Sequence, residues 1–190
     1  RSAAPMIRAA RVTTWPGKVT LPAGSPQVPV RCWLTALPTL PSGPAHWHEL
    51  NPEFKQCGVG QRQSPIDIRD GIKVELEKIR FEYQPSSFSV LDNGHTIQVN
   101  LASGNSLQVM GRRFELLQFH FHRPSEERVN GRQFDMVAHL VHKDADGRMA
   151  TVAVLLERGQ DQALIQTVWN YLPLERGDTY TAPVPIDLNQ

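Results

Sequence analysis

Residues Gln118–His142 read QFHFHRPSEERVNGRQFDMVAHLVH, and this stretch determines how the rest of the chain is interpreted. Side chains alternate between the two faces of a β-strand, so His120 and His122 project from one face, with Gln118 beside them. A second apolar run begins at Met136, and the Asn-Gly pair between the two runs is typical of a chain-reversing turn. The pattern therefore predicts two neighbouring antiparallel strands.

His139, in the second run, is the predicted third member of a histidine cluster. On a strand it shares a face with Val141, whereas its immediate neighbours point the other way. Three neutral imidazoles without a fourth protein ligand are typical of a catalytic zinc site, whose open position makes bound water a nucleophile near neutral pH. The sequence therefore predicts Zn²⁺ bound by His120, His122 and His139.

The remaining histidines carry weaker predictions. His142 falls on the opposite strand face and is interpreted as a hydrogen-bonded core residue. His46 and His48 form another His-x-His pair, but they lie between prolines without a third partner nearby in sequence, so we predict loop residues. His95 follows an Asn-Gly pair and is either a solvated turn histidine or a group that moves protons near neutral pH.

Polar residues near the cluster are candidates for orienting it. Gln118 is placed to accept a hydrogen bond from an imidazole. Glu126 is the acid nearest in sequence to the first histidine pair, and it is either such a partner or an ordinary loop carboxylate like its neighbour Glu127. Val141 offers a small apolar surface suited to an uncharged substrate, and Gln98 a polar one.

Composition limits the possible classes. The chain has 190 residues, 40% hydrophobic and 21% charged, which is ordinary for one globular domain. Residues 1–48 contain five basic side chains and no acid, so the remainder carries 15 basic against 19 acidic groups. This mildly acidic domain has no electrostatic reason to bind nucleic acid, and no apolar run is long enough to span a membrane. We expect a small-molecule substrate.

The first 44 residues differ from the rest. They hold eight of the chain's 15 prolines and no sustained hydrophobic period, which predicts an irregular or disordered leader before a domain at 45–190. No apolar stretch in this leader is long enough for a signal-peptide core. Cys32 and Cys57 allow at most one internal disulfide and do not fix the compartment.

Short strands separated by turns favour an antiparallel sheet over alternating βαβ units. We therefore predict a mainly β (α+β) fold with few short helices, of which Gln160–Tyr171 is the clearest. The predicted strands are Ile72–Phe81, Phe88–Leu91, Thr96–Leu101, Leu107–Met110, Arg113–His122, Met136–His142 and Met149–Glu157.

Taken together, these residues resemble the α-class carbonic anhydrase family, from about His46 to the C-terminus. The matching strings, in order, are QSPIDI at Gln63–Ile68, NGH at Asn93–His95, QFHFH at Gln118–His122, PSE at Pro124–Glu126 and AHLVH at Ala138–His142. The form of the last two most resembles bacterial members, many of which are exported. The resemblance thus implies a periplasmic or secreted protein.

The resemblance implies a large, twisted, mostly antiparallel central sheet and reversible hydration of CO₂ to bicarbonate and a proton, a lyase reaction. It implies Zn²⁺ held by the three clustered histidines and a proton shuttle at His95. It assigns Glu126 the orientation of a threonine hydroxyl at the catalytic centre. Val141 matches a position lining the CO₂ pocket, and Thr151 aligns with a second pocket position, where the family has a valine.

Besides Thr151, two departures from the family pattern affect these expectations. Family members usually have a glutamate two residues before the third histidine, accepting that imidazole's N–H, whereas this chain has Val137. Losing such a partner typically costs about 10–100-fold in metal affinity or activity, so we expect looser zinc. The chain also stops at Gln190, before the family's Thr-Thr-Pro-Pro segment and closing strands, and we therefore expect weak or absent turnover.

Two other classes remain. His120-x-His122-x₃-Glu126 resembles the first metal motif of cupins, in which Glu126 would be a ligand and iron or manganese would be favoured over zinc, but a second cupin motif is missing. A non-catalytic, carbonic-anhydrase-like zinc-binding module is the other alternative. Retention of all three histidines argues against loss of the metal.

Overall fold

The computed structural model describes residues 7–9, 46–59, 64–69 and 75–189 of the chain. The chain divides into two compact units, one formed by Arg1–Lys18 with Asp67–Gln190 and the other by Val19–Ile66. The predicted boundary between residues 44 and 45 stays a prediction. Cys32 and most of the predicted leader lie outside the described residues.

Strands dominate the described residues of the first unit. They are β1 (Ile7–Ala9), β2 (Asp67–Ile68), β3 (Arg80–Glu82), β4 (Phe88–Asp92), β5 (Ile97–Leu101), β6 (Ser106–Val109), β7 (Arg112–His122), β8 (Arg128–Val129), β9 (Arg132–Gln133), β10 (Met136–Lys143), β11 (Met149–Arg158) and β12 (Thr179–Thr181).

Short helices complete the described elements. They are α1 (Trp47–Leu50), α2 (Gln56–Val59) and α3 (Ala163–Asn170), with a 3-10 turn at Pro52–Phe54. Only α3 belongs to the unit with the strands. The Gln162 side chain accepts a hydrogen bond from the Ile165 N–H and caps this helix, which is shorter than the predicted Gln160–Tyr171. Among the described residues, no helix has the length and apolarity to cross a bilayer.

One large sheet organises this unit. Its strands run in the order β1-β11-β10-β7-β5-β4-β12, with β6 also paired to β7 and β3 to β6, and every pairing is antiparallel. A smaller sheet joins β2, β8 and β9, where β2 and β8 are parallel. The prediction of a mainly β fold with a large, mostly antiparallel sheet is confirmed.

The turn predicted at Asn130-Gly131 closes the β8–β9 hairpin. Both residues have positive φ, 52° and 78°, which suits a tight hairpin turn and which asparagine and glycine adopt at low cost. The Gly131 N–H donates to Asp67 Oδ1 at 2.9 Å, tying the turn to β2. This small hairpin lies in the connection that returns the chain from β7 to β10.

A register shift in β7 separates its two halves. Val141 of β10 pairs with Gln118, but the next residue, His142, pairs with Leu116, so Leu117 is the extra residue of a β-bulge. Leu117 is accordingly 44% exposed, whereas Leu116 is buried. Beyond the bulge the alternation inverts, and both halves of the strand bury their hydrophobic residues on the same side of the sheet.

Helix α3 covers that side of the sheet. Its Ile165 and Val168 are buried in a cluster with strand residues that include Phe119, Phe121 and Ala138. Because side chains alternate along a strand, the residues between these core positions project from the opposite face of β7 and β10. The clustered histidines are among them. The core on one side therefore determines which side chains appear on the other.

His142 lies on the helix-covered side and is fully buried. Its Nδ1–H donates to the Leu140 carbonyl at 2.9 Å, so its Nε2 accepts from the Tyr83 hydroxyl at 2.7 Å. Burial lowers the pKa of His142 from 6.5 to about 4, so the ring is neutral at physiological pH. The prediction of a hydrogen-bonded core histidine is confirmed.

Three local predictions differ from the structure. Within the strand predicted at Ile72–Phe81, the described residues 75–79 are not in a strand and β3 begins at Arg80. Alternating polarity marks half-exposure, whereas a strand also needs a pairing partner, here the short β6. Residues 71–74 lie outside the described residues. Within the predicted irregular leader, Ile7–Ala9 form a strand paired with β11. His48 lies in α1 instead of a loop, and it is exposed.

The buried neutral state of His142 predicts a loss of stability in mild acid. The unfolded chain binds a proton near pH 6.5 and the folded chain only near pH 4, so the free energy of unfolding falls as the pH drops between these values. By about pH 5, His142 should have cost the fold about 2 kcal/mol relative to about pH 7.5.

Urea titrations of the wild type and of His142→Gln at both pH values measure this effect. Both proteins carry the same clustered histidines and carboxylates, so the difference between their pH slopes isolates residue 142. Equal slopes would contradict the prediction.

Candidate metal centre

Strand pairing brings the three predicted histidines together. In the β7–β10 ladder His139 is directly opposite His120, and Val137 is opposite His122. The ring centroids of the three histidines are 4.9 to 5.4 Å apart, and one nitrogen from each lies within 4.8 Å of the others. The predicted convergence of imidazoles from two antiparallel strands is present in the structure.

Hydrogen bonds determine which nitrogen each ring can offer. His120 Nδ1 donates to Gln118 Oε1 at 2.9 Å, which leaves Nε2 for a metal. His139 Nε2 donates to Glu127 Oε1 at 2.8 Å, so its metal-binding atom is Nδ1. His122 Nε2 is buried and has no hydrogen-bond partner among the described residues. A ligand nitrogen is thus assigned on each ring.

Burial lowers the pKa of two of the three rings, which favours the neutral form that binds a metal ion. Burial is the main cause that lowers the pKa of His120 to about 3 and of His122 to about 4. Both are therefore neutral at physiological pH, the state in which imidazole binds a metal. Three clustered imidazoles, one with a buried nitrogen that has no hydrogen-bond partner among the described residues, fit a transition metal such as Zn²⁺.

Glu126 lies beside the cluster. Its Oε2 is 3.5 Å from His122 Nε2 and 3.7 Å from His139 Nδ1. The pKa of Glu126 is raised, mainly because its carboxyl group is buried. The interaction with His139 lowers this pKa and the negative charge of Glu127 raises it. The structure therefore places this predicted site residue against two of the three candidate ligands.

The predicted pocket residues form the next row of the same face. Val141 pairs with Gln118 on one side and with Thr151 of β11 on the other. This row is two residues along the strands from the row that contains His120 and His139, and residues two apart share a face. Val141 is half-buried and Thr151 exposed, so the row borders the cluster with one apolar and two polar side chains.

His95 lies at the tip of the β4–β5 hairpin and is exposed. The Asn93 side chain accepts from the backbone N–H groups of His95 and Thr96, which holds the tip in a turn. Along β5, Gln98 pairs with His120, so His95 precedes the histidine row by three residues, or about 10 Å of strand. The structure thus places His95 at the solvent end of a strand that leads to the cluster.

Sequence reasoning missed Glu127. The interpretation of this residue as an ordinary loop carboxylate is wrong, because its side chain is only 13% exposed and accepts from His139. The available signal was the replacement of an acid by Val137, which leaves the His139 ring in need of another acceptor.

Comparisons with known proteins identify the family. The sequence model of the family described as eukaryotic-type carbonic anhydrase matches residues 42–180, most of the chain. This chain belongs to that family. A carbonic anhydrase of Neisseria gonorrhoeae is 43% identical over 135 residues, which is 70% of this chain, and one of Pectobacterium carotovorum is 37% identical over 145 residues, or 75%.

Solved structures agree with this assignment. The chain is similar to a hyperthermostable carbonic anhydrase from a hydrothermal vent chimney, with a TM-score of 0.76 and 39% identity over 80% of this chain and 68% of that one. It spans 54% of the length of the Neisseria relative and 59% of the Pectobacterium relative. The family membership also excludes the cupin fold that the His-x-His-x₃-Glu pattern left open.

The cluster predicts one divalent-metal site per chain. Titration with Co²⁺, followed by its visible absorption, should saturate at about one equivalent with the intense bands of a low-coordinate site. His139→Ala should abolish these bands because it removes one of three ligands.

His48→Ala is the matched control, since His48 belongs to the other His-x-His pair and is exposed. It should leave the titration unchanged. Full Co²⁺ binding by His139→Ala would show that the cluster is not the metal site.

Proposed function

We propose that the chain binds Zn²⁺ through His120 Nε2, His122 Nε2 and His139 Nδ1 and catalyses the reversible hydration of CO₂ to bicarbonate and a proton. The observation that carries this proposal is the convergence of the three imidazoles. The outer nitrogens of His120 and His139 are hydrogen-bonded, and Nε2 of His122 is buried without a hydrogen-bond partner among the described residues. Bound there, Zn²⁺ supplies Lewis-acid activation of water near neutral pH.

The protein's own contribution begins with orientation. Gln118 and Glu127 accept from the outer nitrogens of His120 and His139, which holds both rings in the tautomer that presents the other nitrogen inward. The β7–β10 ladder fixes the backbone from which both rings project. Orientation by paired strands and by side-chain acceptors avoids reorganisation of the ligands at each turnover.

The adjacent row supports an uncharged substrate. Val141 presents half-buried apolar surface beside the cluster, and Gln118 and Thr151 flank it with groups that hydrogen-bond. CO₂ is small and has no net charge, so an apolar wall beside an activated water suits it. We assign Val141 and Thr151 to the substrate pocket on this ground.

We propose that Glu126 orients a hydroxyl group at the catalytic centre. Its carboxylate is mostly buried and lies 3.5 Å from His122 Nε2, so it is positioned to orient a hydroxyl group near the reacting water. The same proximity is what a cupin-type ligand role for Glu126 would require. Membership of the carbonic anhydrase family favours the orienting role.

Export to the periplasm or the cell exterior, which the family resemblance implies, stays a prediction for this chain.

A non-catalytic, zinc-binding module is the alternative function. It also predicts a metal-loaded cluster, so metal binding alone does not separate it from the enzyme. Turnover and inhibitor binding are the measurements that do.

The zinc-loaded protein should hydrate CO₂ above the uncatalysed rate in a stopped-flow assay with a pH indicator. His139→Ala should reduce the rate to background, because a cluster of two imidazoles does not hold the metal. A zinc-loaded wild type at the background rate would refute the catalytic proposal. The same trace compares the turnover rate with that of longer relatives.

Inhibitor binding gives a second readout that does not depend on turnover. A carbonic anhydrase of Thermovibrio ammonificans, 36% identical to this chain, has been solved with the inhibitor sulfanilamide. We expect sulfanilamide to bind the zinc-loaded wild type and not the His139→Ala variant, as measured by calorimetry. The Glu115→Ala variant, altered at an exposed position of β7, should bind as the wild type does.

Proton release should depend on His95. Replacing it with alanine should lower the turnover number roughly 10-fold or more at low buffer concentration, because an exposed imidazole near the site accepts the released proton. Added imidazole buffer should restore the rate, and kcat/KM for CO₂ should stay unchanged. An unchanged turnover number at low buffer would assign proton release to another group.

A further inference from the structure

The acceptor for the His139 ring comes from a loop. Glu127 follows β7 by five residues and immediately precedes β8, and its Oε1 accepts from His139 Nε2 at 2.8 Å. The carboxylate is 13% exposed, and its second oxygen is buried without a hydrogen-bond partner among the described residues. Its buried hydrogen bond is therefore directed at a single metal-ligand candidate.

The nearest position on the strand of His139 cannot supply this acceptor. Val137 is two residues before His139 on β10, shares its face and is fully buried. A valine side chain accepts no hydrogen bond. The Nε2–H of the buried His139 therefore needs an acceptor from another element of the structure. Glu127 meets this requirement.

The loop that carries Glu127 is held rigidly. Ser125 is fully buried, and its backbone N–H donates to the Phe134 carbonyl at 3.0 Å while its Oγ accepts from the Phe134 N–H at 2.9 Å. The same Oγ donates to the backbone carbonyl of Glu127 at 2.8 Å. These bonds tie the loop to the segment entering β10, the strand that bears His139, so donor and acceptor are fixed to connected parts of the structure.

We propose that Glu127 is the positioning residue of the metal centre, a carboxylate in a loop that takes over the task of the acid absent at Val137. It keeps the proton of His139 on Nε2, presents Nδ1 to the metal and makes the imidazole a stronger ligand. The inference rests on the proposed metal site, and it replaces the expectation of loosened zinc that the valine alone suggested.

Zinc affinity, measured by competition with a chromophoric chelator, is the first test. Glu127→Ala should weaken zinc binding about 10–100-fold, and Glu127→Gln, which keeps an acceptor oxygen but loses the charge, should weaken it less than about 10-fold. Glu115→Ala removes an exposed carboxylate of β7 and should leave the affinity unchanged. Equal affinities of wild type and Glu127→Ala would overturn the proposal.

A double variant that moves the carboxylate from the loop to β10 is the most discriminating test. In the background of Glu127→Ala, Val137→Glu places an acid two residues before His139 on the same face, and zinc affinity should return to within about 10-fold of the wild type. Recovery separates a positioning role from a purely structural one, because the second acid lies on another element. A folded double variant, as judged by circular dichroism, with no recovery would count against the proposal.

The tautomer of His139 gives a readout that needs no metal. In the metal-free wild type and Glu127→Gln, ¹⁵N chemical shifts of the ring should report the proton on Nε2, and Glu127→Ala should shift toward the other tautomer. An unchanged tautomer in Glu127→Ala overturns the inference. A wild type that binds no zinc but shows this dependence refutes the proposed function alone, so the two failures are distinguishable.

Discussion

The antiparallel register between β7 and β10 is the constraint on which the candidate site depends. It sets His139 opposite His120, and the two-residue repeat of the strand then adds His122 and Val141 to the same face. A shift by one residue would move His139 to the helix-covered side and break the cluster. The register is itself held by hydrophobic residues on that side, which α3 buries.

Charge around the cluster complements a divalent cation. Two carboxylates, Glu126 and Glu127, lie within hydrogen-bonding or near-contact distance of the clustered imidazoles. Bringing two acids together in a buried setting is unfavourable in the absence of a cation, which is why burial and the neighbouring charge raise the pKa of Glu126. A bound metal ion would offset that repulsion, so the residues that orient the ligands also favour the ion.

Much of this arrangement is readable from local sequence. The i, i+2 histidines, the Asn-Gly turn and the apolar run around His139 predict the strand pair, because side-chain alternation and turn chemistry are local rules. Gln118 lies within two residues of the ring that it orients and was predicted for the same reason. Glu127 was not, because its contact with His139 crosses two strands and a loop whose path depends on the buried Ser125. The shortened β3 and the pairing of Ile7–Ala9 likewise depend on partners remote in sequence.

The bulge at Leu117 has a consequence for how this fold tolerates change. With one residue looped out of the ladder, the stretch of β7 ending at Leu116 and the stretch starting at Gln118 need not keep a common phase. A one-residue register change in the amino-terminal half can therefore be absorbed at the bulge without turning His120 and His122 to the other face of the sheet. Leu117 therefore separates the part of β7 that only packs the core from the part that carries two of the three candidate metal ligands.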